Sequence, residues 1–463
     1  MLNNSQTALT STIAAIATPM GRGGVGVIRL SGPNSYQIAL ALTGRQAFKP
    51  RFAHFCRFYD RDDTVIDEGL VLYFPAPHSF TGEDVIELQG HGGMILQQQL
   101  LTRVFELGAN QAVAGEFSAR AFDNDKLDLV QAEAIADAID ATSVAAAKSA
   151  IRSLTGEFSQ KINVLLEQLI QLRLYVEAAI DFPDEEGVDF LADEHIAKQL
   201  RQVCEQLNNV LATAKQGQLL RDGVSVVIAG RPNAGKSSLL NRLAGQERAI
   251  VTDIAGTTRD ILQETIVLNG LTLNLTDTAG LRQTDDIVEQ AGIERARQAI
   301  TQADLLLMVY DAHREHEPLR LASELFGSLP NANSILMIAN KIDLSDNHQN
   351  LPKQFSSQEQ IYHPVYVSCK YGTGLEELVS QICDKVGFHP PENSLIARTR
   401  HLDALRRTQM ALQEADEQLH LFHAGELVAE SLRQAQISLN EITGEFTADD
   451  LLGKIFGSFC IGK

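Results

Sequence analysis

The chain has 463 residues, of which 44% are hydrophobic and 21% are charged, with 33 Gly and 13 Pro. This is the composition of folded globular domains, so it excludes long disordered or low-complexity regions, and the length predicts about three domains. The formal net charge of −20 argues against nucleic-acid binding over the whole surface, although a local basic site on an acidic body stays open.

Cysteine usage and hydropathy predict a cytoplasmic protein without a membrane span. The five cysteines, at positions 56, 204, 369, 383 and 460, form no C-x-x-C pair, which disfavours a disulfide framework and a zinc ribbon. The longest apolar runs are strand-sized, far below the ~20 residues of a membrane helix. The N-terminus also lacks the cationic start of a secretion signal.

The first domain is expected to span residues 1–125 as a mixture of strands and helices, since TIAAIAT, GVGVIRL and EGLVLYFPAP are short strand-like runs between Gly and Pro. From residue 126 to 221 the apolar residues stand three and four apart, which predicts long amphipathic helices. Pro183 and Gly187 break this pattern, and the acidic residues 184–186 between them are interpreted as a solvated loop.

Strands alternate with helices over residues 222–386, in VSVVIAG, LTLNLTD, LLLMVYDA, SILMIANK and HPVYVS. This alternation predicts a largely parallel sheet covered on both faces. The helical pattern returns over residues 387–463. The simplest architecture is therefore an α/β domain inserted into a helical domain that is built from two separated segments.

A phosphate-binding loop begins at Gly230, where the chain reads G-R-P-N-A-G-K-S between a hydrophobic strand and a helix. Such a loop turns backbone N–H groups inward around phosphates. Lys236 is expected to contact the β and γ oxygens and Ser237 to bind Mg²⁺. From the residues alone, Asn233 in this loop could equally cap a turn.

The strand ends that follow carry Thr257-Thr258, Asp277-Thr278-Ala279-Gly280, Asn340-Lys341-Ile342-Asp343 and Ser368-Cys369-Lys370, in an order that resembles the GTPase superfamily. The resemblance implies GTP rather than ATP, because the Asp343 carboxylate would accept from N–H groups that adenine lacks. It also implies that Asp277 and Thr258 hold the Mg²⁺ shell and that Gly280 senses the γ-phosphate.

Position 281 holds Leu where many small GTPases have the Gln that orients the attacking water. A carboxylate is the obvious substitute, and Glu289 lies nearby. From spacing alone, a solvated helix residue is the better interpretation of Glu289.

Over its full length the chain resembles the MnmE (TrmE) family of bacterial tRNA-modification GTPases. The resemblance lies in four blocks: GRGGVGVIRLSG, FTGEDVIELQGHGG, GRPNAGKSSLLN with TDIAGTTRD, and the terminal EITGEFTADDLLGKIFGSFCIGK. It implies an α+β N-terminal domain that binds tetrahydrofolate and dimerises, a discontinuous helical domain and an inserted Ras-like GTPase domain.

The family pattern assigns site residues by position. It makes Glu289 the water-orienting group, beside Lys236 and Cys460 as catalytic residues, and it implies a K⁺ ion next to the phosphates held by Asn233, Thr252, Ile254 and Thr257. A 5-formyl- or 5,10-methylene-tetrahydrofolate would be bound by Arg29, Glu87, Lys126 and Lys463. The GTP contacts would be Asn233, Ala234, Gly235, Lys236, Ser237, Ser238, Thr252, Thr257, Thr258, Asp277, Thr278, Ala279, Gly280, Asn340, Lys341, Asp343, Ser368, Cys369 and Lys370.

Cys460 leaves two interpretations open, a residue required for modification or a small buried thiol that packs the C-terminal helix. Its CIGK ending does not fit a prenylation box, because Gly462 is not aliphatic and Lys463 is unusual as a last residue.

For the whole protein the resemblance implies a homodimeric, K⁺-stimulated GTPase. With a flavin-dependent partner resembling MnmG (GidA), as a heterotetramer, it would act on tRNA to install an aminomethyl-type group at carbon 5 of the wobble uridine. The alternative is a regulatory GTP switch, such as a ribosome-assembly or stress factor, without modification chemistry.

Overall fold

The structure is a computed structural model that describes residues 11–19, 21–181, 194–245, 263–277, 299–344, 351–357, 359–389, 394–422, 424–444 and 449–462. The strands are β1 Ile13–Ile16, β2 Gly23–Ser31, β3 His54–Tyr59, β4 Val65–Phe74, β5 Val85–Gly92, β6 Asn110–Gln111, β7 Val224–Ala229, β8 Gln263–Leu268, β9 Leu271–Asp277, β10 Leu305–Asp311, β11 Ile335–Asn340, β12 Phe355–Ser357, β13 Gln360–Tyr362 and β14 Pro364–Tyr366. The α-helices are α1 Ser35–Thr43, α2 Met94–Glu106, α3 Glu116–Asp123, α4 Leu129–Asp140, α5 Val144–Leu154, α6 Glu157–Asp181, α7 Glu194–Asp222, α8 Lys236–Ala244, α9 Pro318–Phe326, α10 Leu375–Lys385, α11 Thr399–Glu417, α12 Gly425–Thr443 and α13 Asp449–Gly457.

Contacts divide the chain into two compact units. The first comprises Met1–Ala136, Ser153–Cys204 and Arg407–Lys463, and the second comprises Asp137–Arg152 and Glu205–Arg406. The second unit therefore contains the α/β segment, the helical residues next to it in sequence, and the separate stretch Asp137–Arg152. The domain boundaries expected at residues 126, 222 and 387 stay predictions.

A six-stranded sheet of order β3-β4-β5-β2-β1-β6 forms the N-terminal part of the first unit. Its strands pair antiparallel except for β1 with β6. Inward-facing residues of the sheet form a core with α1 and α2, in which Phe58, Leu88 and Val104 are fully buried. The mixed strand and helix pattern expected for residues 1–125 is confirmed over the described residues.

Long helices make up the rest of the first unit. The buried residues of α6 include Phe158, Ile162, Leu165, Leu169 and Leu172, a spacing of three and four residues that places them on one face of the helix. This helix packs against α12. The amphipathic helices predicted from the apolar spacing are therefore confirmed here, whereas the break around residues 182–193 lies outside the described residues.

The second unit contains a six-stranded sheet of order β14-β11-β10-β7-β9-β8, parallel apart from the edge hairpin β8–β9. Apolar clusters lie on both faces of this sheet, which explains why β10 is buried from Leu305 to Tyr310 with no alternation. The parallel, doubly covered sheet is thus as predicted.

The turn of the edge hairpin contacts the corner between α4 and α5, also within the second unit. Ser143 Oγ donates to the carbonyl of Gly270 at 3.1 Å, and the hydroxyls of Thr142 and Thr272 lie 2.8 Å apart. A membrane-crossing helix would need more length and apolar character than any helix in the described ranges has.

Candidate guanine-nucleotide site

The phosphate-binding loop connects β7 to α8, and two glycines shape it. A Cβ on Gly230 would lie 2.2 Å from the carbonyl oxygen of Val309. Gly235 has φ +101°, and a Cβ there would lie 2.1 Å from Asn340 Nδ2. Only glycine fits either position, so the loop keeps the close backbone path that a phosphate cradle requires.

Lys236 and Ser237 open α8, where the helix N-terminus favours anions. The Lys236 ammonium donates to the carbonyls of Gly230 at 2.8 Å and Arg231 at 3.4 Å. Ser237 and Ser238 are exposed. Asn233 is also exposed and has φ +64°. This donor set fits a phosphate group, and the Ser237 hydroxyl is available to a Mg²⁺ ion.

Asn340, at the end of β11, joins three segments of the site. Its buried side chain donates through Nδ2 to the Ala234 carbonyl at 2.9 Å. Its Oδ1 accepts from the N–H groups of Lys341 at 2.8 Å and Cys369 at 3.2 Å. One amide side chain thereby ties the phosphate loop to the two segments that the sequence predicted to hold guanine.

The Asp343 carboxylate, which is expected to read guanine, is held in place as well. Ser368 Oγ donates to Asp343 Oδ1 at 2.6 Å. Lys341 pairs with Asp311 at 2.9 Å. Burial by itself would raise the pKa of Asp311, but hydrogen bonds from Lys341 and from the His313 N–H outweigh it and lower that pKa. Asp311 therefore stays charged and anchors the lysine beside the expected base.

The structure brings together the predicted residues of the phosphate loop, of the Asn340–Asp343 segment and of the Ser368–Lys370 segment. Asp277 ends β9 opposite Ile228 of β7 in the register of the sheet, so its backbone lies at the edge that carries the phosphate loop. The other predicted nucleotide, ion and water-orienting residues lie outside the described residues: Thr252, Ile254, Thr257, Thr258, Thr278, Ala279, Gly280 and Glu289.

The predicted folate residues lie in the first unit. Arg29 and Glu87 face each other in the β2–β5 register and form an ion pair at 3.0 Å, with side chains 23% and 19% exposed. The Arg29 guanidinium lies 5.5 Å from the Phe80 ring centroid and 5.9 Å from that of Phe117. Arg29 and Glu87 thus form a partly buried charged pair, with the guanidinium near two aromatic rings.

Lys126 and the segment around Cys460 belong to the same first unit as Arg29 and Glu87. The Lys126 stem packs so close to Gly82 that a Cβ there would lie 3.1 Å from its Cε. Ile461 bridges to Ala114, and the carbonyl of Cys460 accepts from the Gly115 N–H at 3.4 Å. Lys463 lies outside the described residues.

Cys460 is exposed. The interpretation of this residue as a buried packing thiol is therefore wrong, because the chain after α13 holds Cys460 through its backbone and leaves the thiol at the surface. An exposed thiol remains accessible to a ligand or a partner.

Several contacts at the two candidate sites involve residues that the sequence patterns did not indicate. Arg120 is 3% exposed and pairs with Glu83 and Glu116 in the same unit as Arg29. Arg242 donates hydrogen bonds to the backbone carbonyls of Cys369 and Lys370. Of these residues and Asp311, only Asp311 could have been found from the sequence. It ends a hydrophobic strand, and ligands bind at the carboxyl ends of parallel strands.

Two family models match the chain. One, described as GTP-binding protein TrmE N-terminus, matches residues 12–126, and the other, described as MnmE helical domain, matches residues 129–460. A protein from Psychrobacter arcticus named tRNA modification GTPase MnmE is 73% identical over 470 residues, covering 100% of this chain and 98% of that protein. The chain belongs to the MnmE family of tRNA modification GTPases.

Further MnmE proteins from Acinetobacter baumannii and Pseudomonas aeruginosa are 62% and 56% identical; each alignment covers 98% of this chain, and 98% and 100% of the relative. Among solved structures, an Era variant from Aquifex aeolicus bound to GDP and AlF4⁻ is 26% identical, covering 41% of this chain and 66% of its own, with a TM-score of 0.28, too low to bear on the fold. Membership of the MnmE family makes this chain a GTP-binding GTP hydrolase of tRNA modification.

Proposed function

We propose that this MnmE-family chain is a K⁺-stimulated GTPase that acts, as a homodimer and with an FAD-dependent MnmG-like partner, at the wobble uridine of certain tRNAs. The product would carry a (carboxymethyl)aminomethyl group at C5 of that uridine. The observation that supports it best is that one chain contains two separate candidate binding sites, the nucleotide site joined by Asn340 and the Arg29–Glu87 ion pair.

The Arg29–Glu87 site fits a folate in its chemistry. A cation and a carboxylate lie side by side and are both partly buried, and the cation lies near the rings of Phe80 and Phe117, so the site offers charge to polar groups and apolar surface to a flat ring. Bound 5,10-methylene-tetrahydrofolate would supply the one-carbon unit. Glu87 would accept from the amino-pyrimidine edge, Arg29 would hold the Glu87 carboxylate in place at the same end of the ligand, and Lys126 would hold a carboxylate. Near the end of the sequence, Lys463 would also bind the folate, and the exposed Cys460 would take part in the modification.

The GTP site would work through Mg²⁺ held by Ser237 and Thr258, with Lys236 neutralising the phosphates. In this proposal K⁺ binds beside the phosphates at Asn233, Thr252, Ile254 and Thr257, and Glu289 orients the attacking water. The GTP-dependent approach of two GTPase domains would then control the modification step.

The test is mass spectrometry of tRNA nucleosides from cells that lack the protein, complemented with wild type, Lys236→Ala or Cys460→Ser. We expect the 5-aminomethyl-type uridines to disappear in the deletion and to return with wild type alone. Unchanged nucleosides in the deletion strain would overturn the proposed reaction.

Folate binding separates this proposal from a regulatory GTP switch, which has no reason to retain tetrahydrofolate. Titration of 5-formyl-tetrahydrofolate into the intact protein should show binding that Arg29→Ala and Glu87→Ala each weaken at least ~10-fold, because each loses a charge-assisted contact. A matched control is Arg57→Ala, which removes an exposed arginine paired with Glu68 in the same sheet. Absence of folate binding by the wild type would favour the switch.

A further inference from the structure

Arg242 makes a contact that links the two ends of the nucleotide site. It lies in the last turn of α8, and its Nε donates to the carbonyl of Cys369 at 2.9 Å while its Nη2 donates to the carbonyl of Lys370 at 2.7 Å. The guanidinium is planar and carries its donors in a fixed fork. Two consecutive backbone carbonyls are therefore held by one rigid group.

Fixing these carbonyls also fixes the N–H groups that follow them. In a trans peptide the carbonyl and the next N–H point in opposite directions across one plane. The bond to Cys369 thus sets the direction of the Lys370 N–H, and the bond to Lys370 sets that of the Tyr371 N–H.

The second of these N–H groups leads to the guanine-reading carboxylate. The Tyr371 N–H donates to Ser368 Oγ at 3.3 Å, and Ser368 Oγ donates to Asp343 Oδ1 at 2.6 Å. A continuous series of hydrogen bonds therefore runs from Arg242 through the backbone to Asp343.

Helix α8 completes the connection to the phosphates. Lys236 of the phosphate loop and Arg242 lie on the same helix, six residues and about 9 Å apart along its axis. Arg242 itself is exposed, so its charge alone contributes little. Its contribution comes instead from the two directed hydrogen bonds to consecutive backbone carbonyls.

We propose that Arg242 is a positioning residue for guanine recognition, which holds the Ser368–Tyr371 loop so that Asp343 meets the base edge. This inference rests on GTP binding and on guanine recognition by Asp343, so it stands or falls independently of the proposed folate and tRNA chemistry.

The experiment compares GDP with IDP, whose hypoxanthine lacks the 2-amino group that Asp343 would accept from. For full-length wild type, Arg242→Ala, Arg242→Lys and Arg320→Ala, the affinity of each nucleotide and the rate of GDP release are measured. The control Arg320 is an exposed arginine on α9 that pairs with Glu317 and Glu324. Melting temperatures are recorded for all four proteins.

We expect Arg242→Ala to release GDP about tenfold faster and to lose most of the preference for GDP over IDP, because two charge-assisted bonds are removed. The KM for GTP should rise with a smaller change in kcat. Arg242→Lys keeps the charge at the helix end but not the fork, so it should lose the same preference even if its melting temperature equals that of wild type.

Three results would overturn the proposal. One is an unchanged release rate and an unchanged GDP-to-IDP affinity ratio in both Arg242 variants. Another is an equal loss of affinity for both nucleotides, which would indicate a general structural role. A change of the ratio in Arg320→Ala would overturn it as well, since the effect would not then be specific to Arg242.

Discussion

At the scale of single residues, Asn233 is the side chain on which the proposed K⁺ dependence rests. It lies in the phosphate loop in the left-handed region at φ +64°, with its side chain exposed, where non-glycine residues are uncommon. An amide oxygen there could bind a monovalent cation beside the phosphates.

The first residue-scale prediction concerns that cation. GTP hydrolysis should be at least ~10-fold faster in KCl than in NaCl at equal ionic strength, as expected when a bound charge stabilises the transition state, and Asn233→Ala should erase the difference. Steady-state phosphate release measures both. Equal wild-type rates in the two salts would contradict the K⁺ assignment while leaving GTP binding intact.

His91 and Asp67 form a second residue-scale pair, at the end of β5. The His91 ring is 68% exposed and donates from Nδ1 to the Asp67 carboxylate at 2.6 Å. The Asp67 side chain is only 8% exposed. The hydrogen bond and the negative charge of Asp67 raise the pKa of His91. Burial by itself would raise the pKa of Asp67. Hydrogen bonds from the His91 ring and from the backbone N–H groups of His91 and Glu68 outweigh burial and lower that pKa.

The sign of the pH dependence follows from these shifts. Because the folded pKa of His91 lies above its unfolded value of about 6.5, its stabilising contribution is complete below that value and is lost as pH rises through the folded pKa. Asp67→Asn should return the NMR-monitored pKa of His91 towards its ordinary value, whereas Asp62→Asn, an exposed change in the neighbouring turn, should not. An unshifted His91 titration in wild type would contradict the pairing.

At the scale of elements, the short segment after α13 is placed by backbone geometry. Gly462 has φ +97°, and a Cβ on it would lie 2.4 Å from the Ile16 carbonyl of β1. Both the conformation and the space require glycine. The bridge from Ile461 to Ala114 holds the same segment from the other side.

Gly462→Ala should therefore displace the terminal residues. We expect tRNA modification to fall at least ~10-fold while GTP hydrolysis changes little, because displacement of a site residue by about 1 Å already costs that much. Gly453→Ala is the matched control, since a Cβ there meets nothing within 4 Å. Equal modification by wild type and Gly462→Ala would show that the position of Cys460 is not critical. The nucleoside mass spectrometry described above measures this.

At the scale of the whole molecule, Asp137 connects distant stretches of the second unit. Its side chain is 4% exposed and pairs at 2.8 Å with Arg221, at the end of α7, and at 2.8 Å with Arg398, just before α11. One carboxylate thus holds the segments that enter and leave the α/β part of the chain.

Asp137→Ala should lower the stability of the second unit by about 3 kcal/mol, because two arginines lose a shared buried partner. Asp403→Ala is the control, as Asp403 makes only an exposed pair with Arg406, one turn along α11, among the described contacts. Thermal unfolding of the GDP-bound protein checks the difference. Similar melting temperatures for Asp137→Ala and Asp403→Ala would show that the ion pairs of Asp137 with Arg221 and Arg398 contribute little to stability.

The sequence by itself determined the phosphate loop, the strand and helix alternation and the amphipathic helices. These depend on residues that are close together in the chain, where spacing directly sets which side chains share a face or a turn. The family blocks further implied which residues would form the proposed folate site, although not that Arg29 and Glu87 form a pair.

Only the tertiary structure decided which distant side chains meet. Arg242 reaches a carbonyl 127 residues away, and Asn340 joins a loop 106 residues earlier. Asp137 meets Arg398 across 261 residues. Such contacts follow from strand order and helix packing, and no local pattern encodes them, because each partner taken alone resembles an ordinary surface or capping residue.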